Sequence, residues 1–416
     1  MIYSKLINEI QWSDVEDFCR QGIKEGAFLD YKQDFPSQLE KTISAMANTF
    51  GGIIIIGVEE DKENKPIVPV EGIAFKRGLS ERVISIILAN LTPPVFPEIQ
   101  VCTNETGEKA LVVIRIPQSH QTPHAISNNT KVYLRTGDIN NPEELATIDD
   151  VNWLNDHRSK SVDLRETLYQ QAEMRYKAFY NRVLTLLTAQ GERIQETTSG
   201  IFTISTCPTY PHTVYRNPSQ LSGIHEKIRI HDYFGTSGFF PPEDRLARGM
   251  VTLVQDGVVF VRYTNQAECV LYTAVNSQGL YFFRQSIRQS PASEENPSRD
   301  LLSGGEIVAR IDEFLDTAEN LYRVFGYWGY IDIEISLTKI HESGLFLDWL
   351  KSFFYDPLIG FSPDDEVVYT RTVLAGDLMS EKEQILFEAI QKLFWTFNID
   401  FVKSYLDTFN NKNKPH

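Results

Sequence analysis

Three acidic residues near the N-terminus are brought toward one place by the predicted topology and have the residue type that binds divalent metal ions. Glu25 precedes a predicted strand, Asp30 lies on that strand, and Glu59 follows the next apolar strand. If the two strands pair, Glu59 lies near Asp30. Because carboxylates repel one another, a cluster of them is usually stabilised by a cation that prefers oxygen ligands, such as Mg²⁺ or Mn²⁺. Such an ion can activate water and stabilise the leaving oxygen during phosphodiester hydrolysis.

The spacing of the first two acids places a condition on this site. Residues five apart on one strand point to opposite faces, so Glu25 and Asp30 share a site only if the backbone bends between them, for which Gly26 is the candidate. Solvated carboxylates at strand ends and loop starts are the alternative interpretation. Basic residues could supply phosphate contacts around the acids, namely Lys32, Lys41, Lys131 and Arg135.

An alternation of short helices and strands is predicted to position these residues. Apolar residues at helical spacing indicate helices over 4–22, 38–49 and 79–91. Short β-branched or alternating runs indicate strands over 27–32, 53–58, 110–116 and 131–136. The first 145 residues are therefore expected to form a compact α/β domain.

The run from Gly52 to Gly57 matches the glycine spacing of a phosphate-binding P-loop. The next two residues are Val58 and Glu59, however, where a P-loop needs lysine and a hydroxyl residue to complete the charge and the metal shell. Four consecutive isoleucines also demand an extended, buried strand. We therefore expect a strand here, and no conventional ATP site.

The rest of the chain is predicted to be a helical connection followed by a second domain. One apolar stripe runs along 164–187, which is typical of an interdomain or dimer helix. Beyond it, Asp256-Gly257 indicates a β-hairpin, 331–337 a half-buried strand, and 305–325 and 381–397 two helices. The fold class is thus mixed α/β (α+β), with domains at 1–145 and 196–416 and connecting helices at 146–195. The segment 289–300 is expected to be a loop.

Composition restricts the environment and the partners. The net charge of −16 argues against a protein that coats DNA, so any nucleic-acid binding must use a local basic lining. The four cysteines are scattered without a CxxC pair, which fits reduced thiols in the cytoplasm. No apolar run is long enough for a membrane span or a signal peptide, so no membrane partner is expected.

Taken in order, several of these segments resemble the Schlafen-AlbA domain family. The first block is Glu25-x4-Asp30-Tyr31-Lys32. The second runs from Lys41 to Gly52 and ends in Ala-Asn48-Thr49-Phe-Gly-Gly. The third is Ile-Ile-Gly57-Val-Glu-Glu. Pro93-Pro94 with Pro97-Glu98-Ile99, and Pro123-His124 with Tyr133 to Gly137, follow at the expected places. The resemblance covers about residues 18–145, and residues 200–416 resemble nothing recognised.

The resemblance implies a site, a substrate class and an assembly. In Schlafen nucleases two Glu five apart and a later Asp bind metal and cleave tRNA or rRNA. Glu25 takes the first position, Asp30 the second as a shorter acid, and Glu59 the third as a longer one, while Tyr31 replaces the usual Phe. The family's cleft uses two lobes, so a single lobe here implies a homodimer, for which the 164–187 helix is a candidate surface.

Three functions are compatible with these observations. The first is a metal-dependent endoribonuclease acting on structured RNA such as tRNA, in stress or phage defence, with a sensor or regulatory C-terminal domain. The second is a non-catalytic regulator that binds RNA or DNA. The third is a dimerisation or nucleotide-sensing module without nuclease activity.

Overall fold

The structure of the 416-residue chain is a computed structural model. The structure describes residues 2, 5, 7–119, 121–135, 143–189, 200–211, 221, 223–228, 249–263, 270–289, 300–327, 329–350 and 359–412. The chain divides into two compact units. The first comprises Met1–Leu164 with the short segments Phe325–Tyr330 and Leu374–Gly376, and the second comprises the remainder. Helices and strands occur in both, which confirms the mixed α and β fold class.

The first unit is built on a five-stranded sheet with helices on both faces. Its helices are α1 (Trp12–Cys19), α2 (Leu39–Asn48) and α3 (Leu79–Asn90), after a 3-10 turn at Ile7–Glu9. Its strands are β1 (Leu29–Lys32), β2 (Gly52–Ile56), β3 (Ile73–Ala74), β4 (Leu91–Thr92), β5 (Glu98–Thr103), β6 (Lys109–Ile116), β7 (Ala125–Ile126), β8 (Lys131–Arg135) and β9 (Glu143–Leu145). The sheet runs β1-β2-β6-β3, and β5 also pairs with β6. β1 and β2 are parallel, and β6 is antiparallel to its neighbours.

The four isoleucines of β2 explain why this strand lies at the centre. Ile54 and Ile56 pack into a core with α2 and α3, whereas Ile53 and Ile55 pack into a core with α1. Alternate side chains of a strand point to opposite faces, so a strand buried on both faces needs apolar residues at every position. The prediction of a buried strand in place of a P-loop is confirmed.

Two glycines allow the chain to enter β2 directly from α2. Gly51 has φ +72°, and a Cβ there would lie 2.6 Å from the carbonyl oxygen of Ile116. A Cβ on Gly52 would lie 2.7 Å from Sδ of Met46 and 2.9 Å from the carbonyl oxygen of Phe28. Any side chain at these positions would push apart the helix, the strand and the turn before β1.

A second, antiparallel sheet of the first unit runs β4-β7-β8-β9, and a buried amide is among the groups that join it to α2. Asn48, the last residue of α2, donates to the carbonyl oxygens of His124 (2.9 Å) and Tyr133 (3.0 Å). Its own oxygen accepts the His124 backbone N–H at 2.7 Å. The Asn48 and Pro-His blocks of the sequence thus meet in space.

The predicted N-terminal helix is shorter than expected. Residues 4–22 were expected to be one helix, but a 3-10 turn ends at Glu9 and α1 begins only at Trp12. Gln11 lies at the N-cap, where its extended backbone donates to Oδ2 of Asp14 at 3.0 Å. Such a cap starts a new helix and so prevents continuation of the preceding turn.

The 42-residue helix α4 (Ile148–Ala189) begins in the first unit and continues into the second. Part of its apolar stripe packs against other residues of the second unit. The ring of Tyr176 packs edge-on against Tyr272 at 5.7 Å, and the guanidinium of Arg284 lies 4.9 Å from the centroid of the same ring. Arg284 also pairs with Glu173 at 2.9 Å. This part of the stripe is therefore covered by the chain itself, which is contrary to its proposed use as a dimer surface.

The second unit contains a seven-stranded sheet in the order β11-β12-β13-β14-β10-β17-β20, and a four-stranded sheet in the order β15-β16-β18-β19. The strands of the first are β10 (Ile201–Pro208), β11 (Gly249–Val254), β12 (Gly257–Tyr263), β13 (Val270–Asn276), β14 (Tyr281–Ser286), β17 (Tyr330–Thr338) and β20 (Glu366–Leu374). Those of the second are β15 (Arg288–Gln289), β16 (Leu301–Ser303), β18 (Gly344–Phe346) and β19 (Ile359–Phe361). The helices are α5 (Ile224–Ile228), α6 (Gly304–Phe325), α7 (Leu378–Trp395) and α8 (Lys403–Lys412), with 3-10 turns at Asp348–Leu350 and Ala375–Asp377.

Several predictions for this region are confirmed. β11 and β12 form the hairpin at Asp256-Gly257, and β17, α6 and α7 lie where periodicity placed them. The predicted loop at 289–300 falls mostly outside the described residues, as does Cys269. In the part of the chain that the structure describes, no helix is both long enough and apolar enough to cross a membrane.

Candidate functional site

The candidate site lies along β1, an edge strand of the first sheet. A tight turn from Gly26 to Leu29 precedes it, closed by the Gly26 N–H donating to the Leu29 carbonyl oxygen at 3.0 Å. This turn supplies the bend that the spacing of Glu25 and Asp30 required. On the outer edge of β1, the Tyr31 N–H donates to Oε1 of Glu25 at 2.7 Å. The Glu25 carboxylate is therefore held against the strand that carries Asp30.

The ammonium group of Lys32 lies between the acids. Its Nζ is 2.6 Å from Oδ2 of Asp30 and 3.4 Å from Oε1 of Glu25, and it donates to the Tyr31 carbonyl oxygen at 3.0 Å. The Lys32 side chain is 30% exposed, whereas that of Asp30 is 2% exposed. Of this pair, it is the lysine that solvent or a ligand can reach.

Arg135, at the end of β8, holds Asp30 from the other side. Its Nη2 lies 3.1 Å from Oδ1 of Asp30 and donates to the carbonyl oxygens of Gly26 at 2.8 Å and Leu29 at 3.3 Å. The Arg135 side chain is fully buried. The sequence assigned this residue to phosphate binding, but a guanidinium without solvent access can only position Asp30 and the turn.

The third acid beside Glu25 is Glu60. The sequence and the resemblance placed it at Glu59, but the Glu59 side chain is exposed, whereas Glu60 is half-buried and its carboxylate lies against that of Glu25. The Oε1 atom of Glu60 is buried and accepts no hydrogen bond from the residues that the structure describes. An alternation that starts from the buried Val58 could have indicated this, because Val58 and Glu60 point to the same side of an extended segment.

The pKa values of Glu25 and Glu60 are raised by burial and by repulsion between the carboxylates. Burial, together with the charges of Glu25 and Asp30, raises the pKa of Glu60 to about 8. Burial and the charge of Asp30 also raise the pKa of Glu25, despite Lys32 and the Tyr31 N–H. Burial alone would lower the pKa of Lys32, but ion pairing with Asp30 and the charges of Glu25 and Glu60 outweigh it and raise that pKa. The positive charge of Lys32 therefore does not offset the effect of burial and mutual repulsion on the pKa values of Glu25 and Glu60.

The other two predicted phosphate ligands do not join this cluster. Nζ of Lys41 pairs with Oε2 of Glu143 at 3.1 Å and lies 4.9 Å from the centroid of the Tyr133 ring. Thr42 donates to the other oxygen of Glu143. Lys131 is exposed at the start of β8, at the opposite end of the strand from Arg135. Of the four cations, therefore, Lys32 and Arg135 contact the acidic cluster.

The residue types of this cluster suit a hard divalent cation, because Glu25, Asp30 and Glu60 offer carboxylate oxygens. Among the described residues, none donates a hydrogen bond to Oε1 of Glu60. Both oxygens of Asp30 are paired with cations, however. Within the described ranges, no three Asp, Glu, His or Cys side chains are placed so as to hold a metal ion. The donor chemistry fits Mg²⁺ or Mn²⁺, and Lys32 competes for the same oxygens.

Comparison with known proteins finds a family match within the first unit. Residues 25–144 match the family model described as Schlafen, AlbA_2. No curated protein matches the sequence. Among solved structures, the N-terminal domain of a RecG-related protein from Nitrosomonas europaea is 19% identical, covers 28% of this chain and 81% of its own, and gives a TM-score of 0.24. The region from Glu25 to Glu144, which carries the acidic cluster, therefore resembles the Schlafen, AlbA_2 family, as its sequence blocks indicated.

Proposed function

We propose that the first domain binds nucleic acid and cleaves RNA with the help of Mg²⁺ or Mn²⁺. The observation that carries the proposal is that three separate segments bring the carboxylates of Glu25, Asp30 and Glu60 around one ammonium group, that of Lys32. Gathering three acids costs free energy through repulsion and desolvation, which a purely structural role does not require. The Schlafen, AlbA_2 match supports the same proposal.

Each residue of the cluster has a separate task in this proposal. Once Lys32 leaves Asp30, Glu25, Asp30 and Glu60 would hold the ion, which would activate water and stabilise the leaving oxygen. Lys32, which is partly exposed, binds the phosphate that approaches. Arg135 fixes Asp30 and the Gly26–Leu29 turn, so that Asp30 keeps its position when Lys32 moves toward phosphate.

Cleavage of RNA tests this function. The full chain is incubated with total RNA and with tRNA, with Mg²⁺, with Mn²⁺ or with EDTA, and the new ends are mapped. We expect metal-dependent cuts with the native protein and a loss of at least about tenfold in rate for Glu60→Gln and for Glu25→Gln, since either change removes a carboxylate charge from the site.

Glu59→Gln is the matched control for Glu60→Gln, because the two residues are adjacent and the same charge is removed. It is expected to cleave at the native rate, since the Glu59 side chain is exposed and outside the cluster. Equal background cutting by the native protein and Glu60→Gln would rule out nuclease activity at this site. Equal losses in Glu59→Gln and Glu60→Gln would show that charge alone, and not the cluster, is responsible.

The second candidate function is a regulator that binds RNA or DNA without cutting it. It is favoured by the two ion pairs of Asp30, because a carboxylate paired with both Lys32 and Arg135 has no free oxygen for a metal ion. Retention of RNA that weakens with rising salt, without cleavage in Mg²⁺ or Mn²⁺, would support this function over the first.

The predicted assembly and its role in defence rest on the same proposal. A homodimer would supply the second lobe that the family's cleft uses, and light scattering of the full chain would give its mass directly. The buried Tyr176 removes that part of the 164–187 stripe from the candidate surfaces.

A further inference from the structure

Two phenylalanine rings touch on the surface of the first domain, close to the acidic cluster. Phe28 and Phe50 have ring centroids 5.4 Å apart, with their planes at 40°. Phe28 is 54% exposed and Phe50 is 52% exposed. Folded proteins usually bury phenylalanine, so a contacting pair that is more than half exposed is a surface suited to another planar ring.

The backbone on both sides of this aromatic pair is firmly held. The carbonyl oxygen of Phe28 accepts the N–H of Ile53, which extends the ladder between β1 and β2. The turn that carries Phe28 is bound by Arg135 through the carbonyl oxygens of Gly26 and Leu29. Phe50 lies between the end of α2 and β2, where the Gly51 N–H donates to the Met46 carbonyl oxygen at 2.7 Å. The two rings therefore project from rigid elements.

The position of Phe28 relates the aromatic pair to the site. Phe28 lies in the turn directly before β1 (Leu29–Lys32), two residues before Asp30 and four before Lys32. Four residues of chain span at most about 14 Å, so the backbones of Phe28 and Lys32 lie within that distance. An exposed aromatic surface and a partly exposed ammonium group thus lie on one short segment of the chain.

We propose that Phe28 and Phe50 form a stacking platform for an unpaired base of a single-stranded RNA segment whose phosphate contacts Lys32. This rests on the proposed function and specifies its substrate class. Stacking needs an accessible base face, which a loop or a single strand offers and a continuous duplex hides. The platform is aromatic and not aliphatic, and the partly exposed Lys32 follows Phe28 by four residues, which suits the base and phosphate of one strand.

Binding of labelled oligonucleotides to the full chain tests this platform. Fluorescence anisotropy is measured in EDTA, to prevent cleavage, with a single-stranded RNA and with a duplex of the same length. We expect Phe28→Ala and Phe50→Ala to weaken single-strand binding by about 5- to 100-fold, the usual loss for one stacked base. Duplex binding is expected to stay within about twofold of the native value.

Phe96→Ala is the matched control, because Phe96 is 54% exposed in the same domain. It is expected to bind like the native protein. Phe28→Trp, which keeps an aromatic face, is expected to retain single-strand binding. Thermal melting of each variant establishes that the domain is folded, and light scattering establishes whether its mass is that of the native protein.

The outcomes separate this inference from the function on which it rests. If the native protein binds RNA and Phe28→Ala binds it equally well, the platform is overturned and the proposed function stands. If the native protein binds no RNA at low salt, both are overturned. A change of molecular mass in Phe28→Ala and Phe50→Ala, with RNA binding unchanged, would show that the pair contacts a second copy of the chain and would overturn the platform.

Discussion

Nη2 of Arg135 lies 3.1 Å from Oδ1 of Asp30, and both side chains are removed from solvent. The same nitrogen also binds the turn before β1. A buried charge is tolerated only when it is paired and hydrogen-bonded. This pair therefore joins the end of β8 to the start of β1, and the acidic cluster depends on it for its shape.

Replacement of Arg135 is expected to destabilise the first domain strongly. Arg135→Met leaves the Asp30 carboxylate buried with Lys32 as its remaining cation, and removing one partner of a buried pair costs about 3–5 kcal/mol. The measurement is urea unfolding of the full chain. Lys131→Met, an exposed change on the same strand, is expected to stay within about 0.5 kcal/mol of the native value. Equal stability of Arg135→Met and Lys131→Met would contradict the assigned role.

The raised pKa of Glu60 gives stability a specific pH dependence. Because the pKa is about 8 in the folded chain against an ordinary 4.5, ionising Glu60 is harder in the folded state than in the unfolded one. The favourable contribution is complete below pH 4.5 and is lost as the pH rises to about 8. Glu60→Gln does not ionise, so its stability relative to the native protein should increase across this window and then level off.

Stability curves of the two glutamate variants at several pH values check this expectation. Glu59→Gln, whose residue is exposed, should follow the native curve. Mn²⁺ added at pH 8 should reduce the difference in the free energy of unfolding between the native protein and Glu60→Gln, because a bound cation favours the ionised carboxylate. A gap that is constant from pH 4.5 to 8 would mean that Glu60 titrates normally.

The helix α4 is expected to matter for the stability of the second unit and not for assembly through its apolar stripe. Tyr176→Ala removes a buried ring that packs on Tyr272 and beneath Arg284, at a cost of about 3 kcal/mol or more. Met174→Ala, a 61% exposed residue of the same helix, should be nearly neutral. Unfolding measures the cost, and light scattering should give the same mass for both variants. If the native protein is a dimer and a folded Tyr176→Ala protein is a monomer, the apolar stripe of α4 forms the dimer interface.

Periodicity predicted the strands and helices that are buried by apolar residues alone. The four isoleucines of β2 and the hairpin at Asp256-Gly257 are examples in which local sequence and final packing agree. β5 was not predicted, because directly after Pro97 it begins at a charged residue, Glu98. That residue is buried against Arg115 at 3.0 Å, a long-range pair that no local window contains.

The third acid of the cluster was predicted to be Glu59, one residue before Glu60. Order along the chain and the family resemblance indicated Glu25, Asp30 and an acid after β2, but two glutamates follow that strand. Only the alternation from the buried Val58 distinguishes Glu60 from Glu59. The role of Arg135 could not be predicted, because its burial depends on β8 returning beside the turn at Gly26.

A last prediction concerns the buried amide that joins α2 to the second sheet. Asn48→Ala removes the three hydrogen bonds that join α2 to this sheet, two that the side chain donates to carbonyl oxygens of His124 and Tyr133 and one that it accepts from the His124 N–H. It also removes a longer one within α2, to Oγ of Ser44. Each buried group that loses its partner costs about 1–3 kcal/mol, so the loss should exceed that of Asn90→Ala, whose side chain donates once to Ile86 within its own helix.

Asn48→Asp separates hydrogen bonding from packing at the same position. Its carboxylate keeps the shape of the amide but, once ionised, points an acceptor at two carbonyl oxygens that need a donor. We therefore expect Asn48→Asp to be less stable than Asn48→Ala at pH 7, and to approach the stability of the native protein at low pH, where the acid can donate one hydrogen bond. Urea unfolding at both pH values decides this. If Asn48→Asp were at least as stable as Asn48→Ala at both pH values, the amide would fill space without its hydrogen bonds supporting the link between α2 and β8.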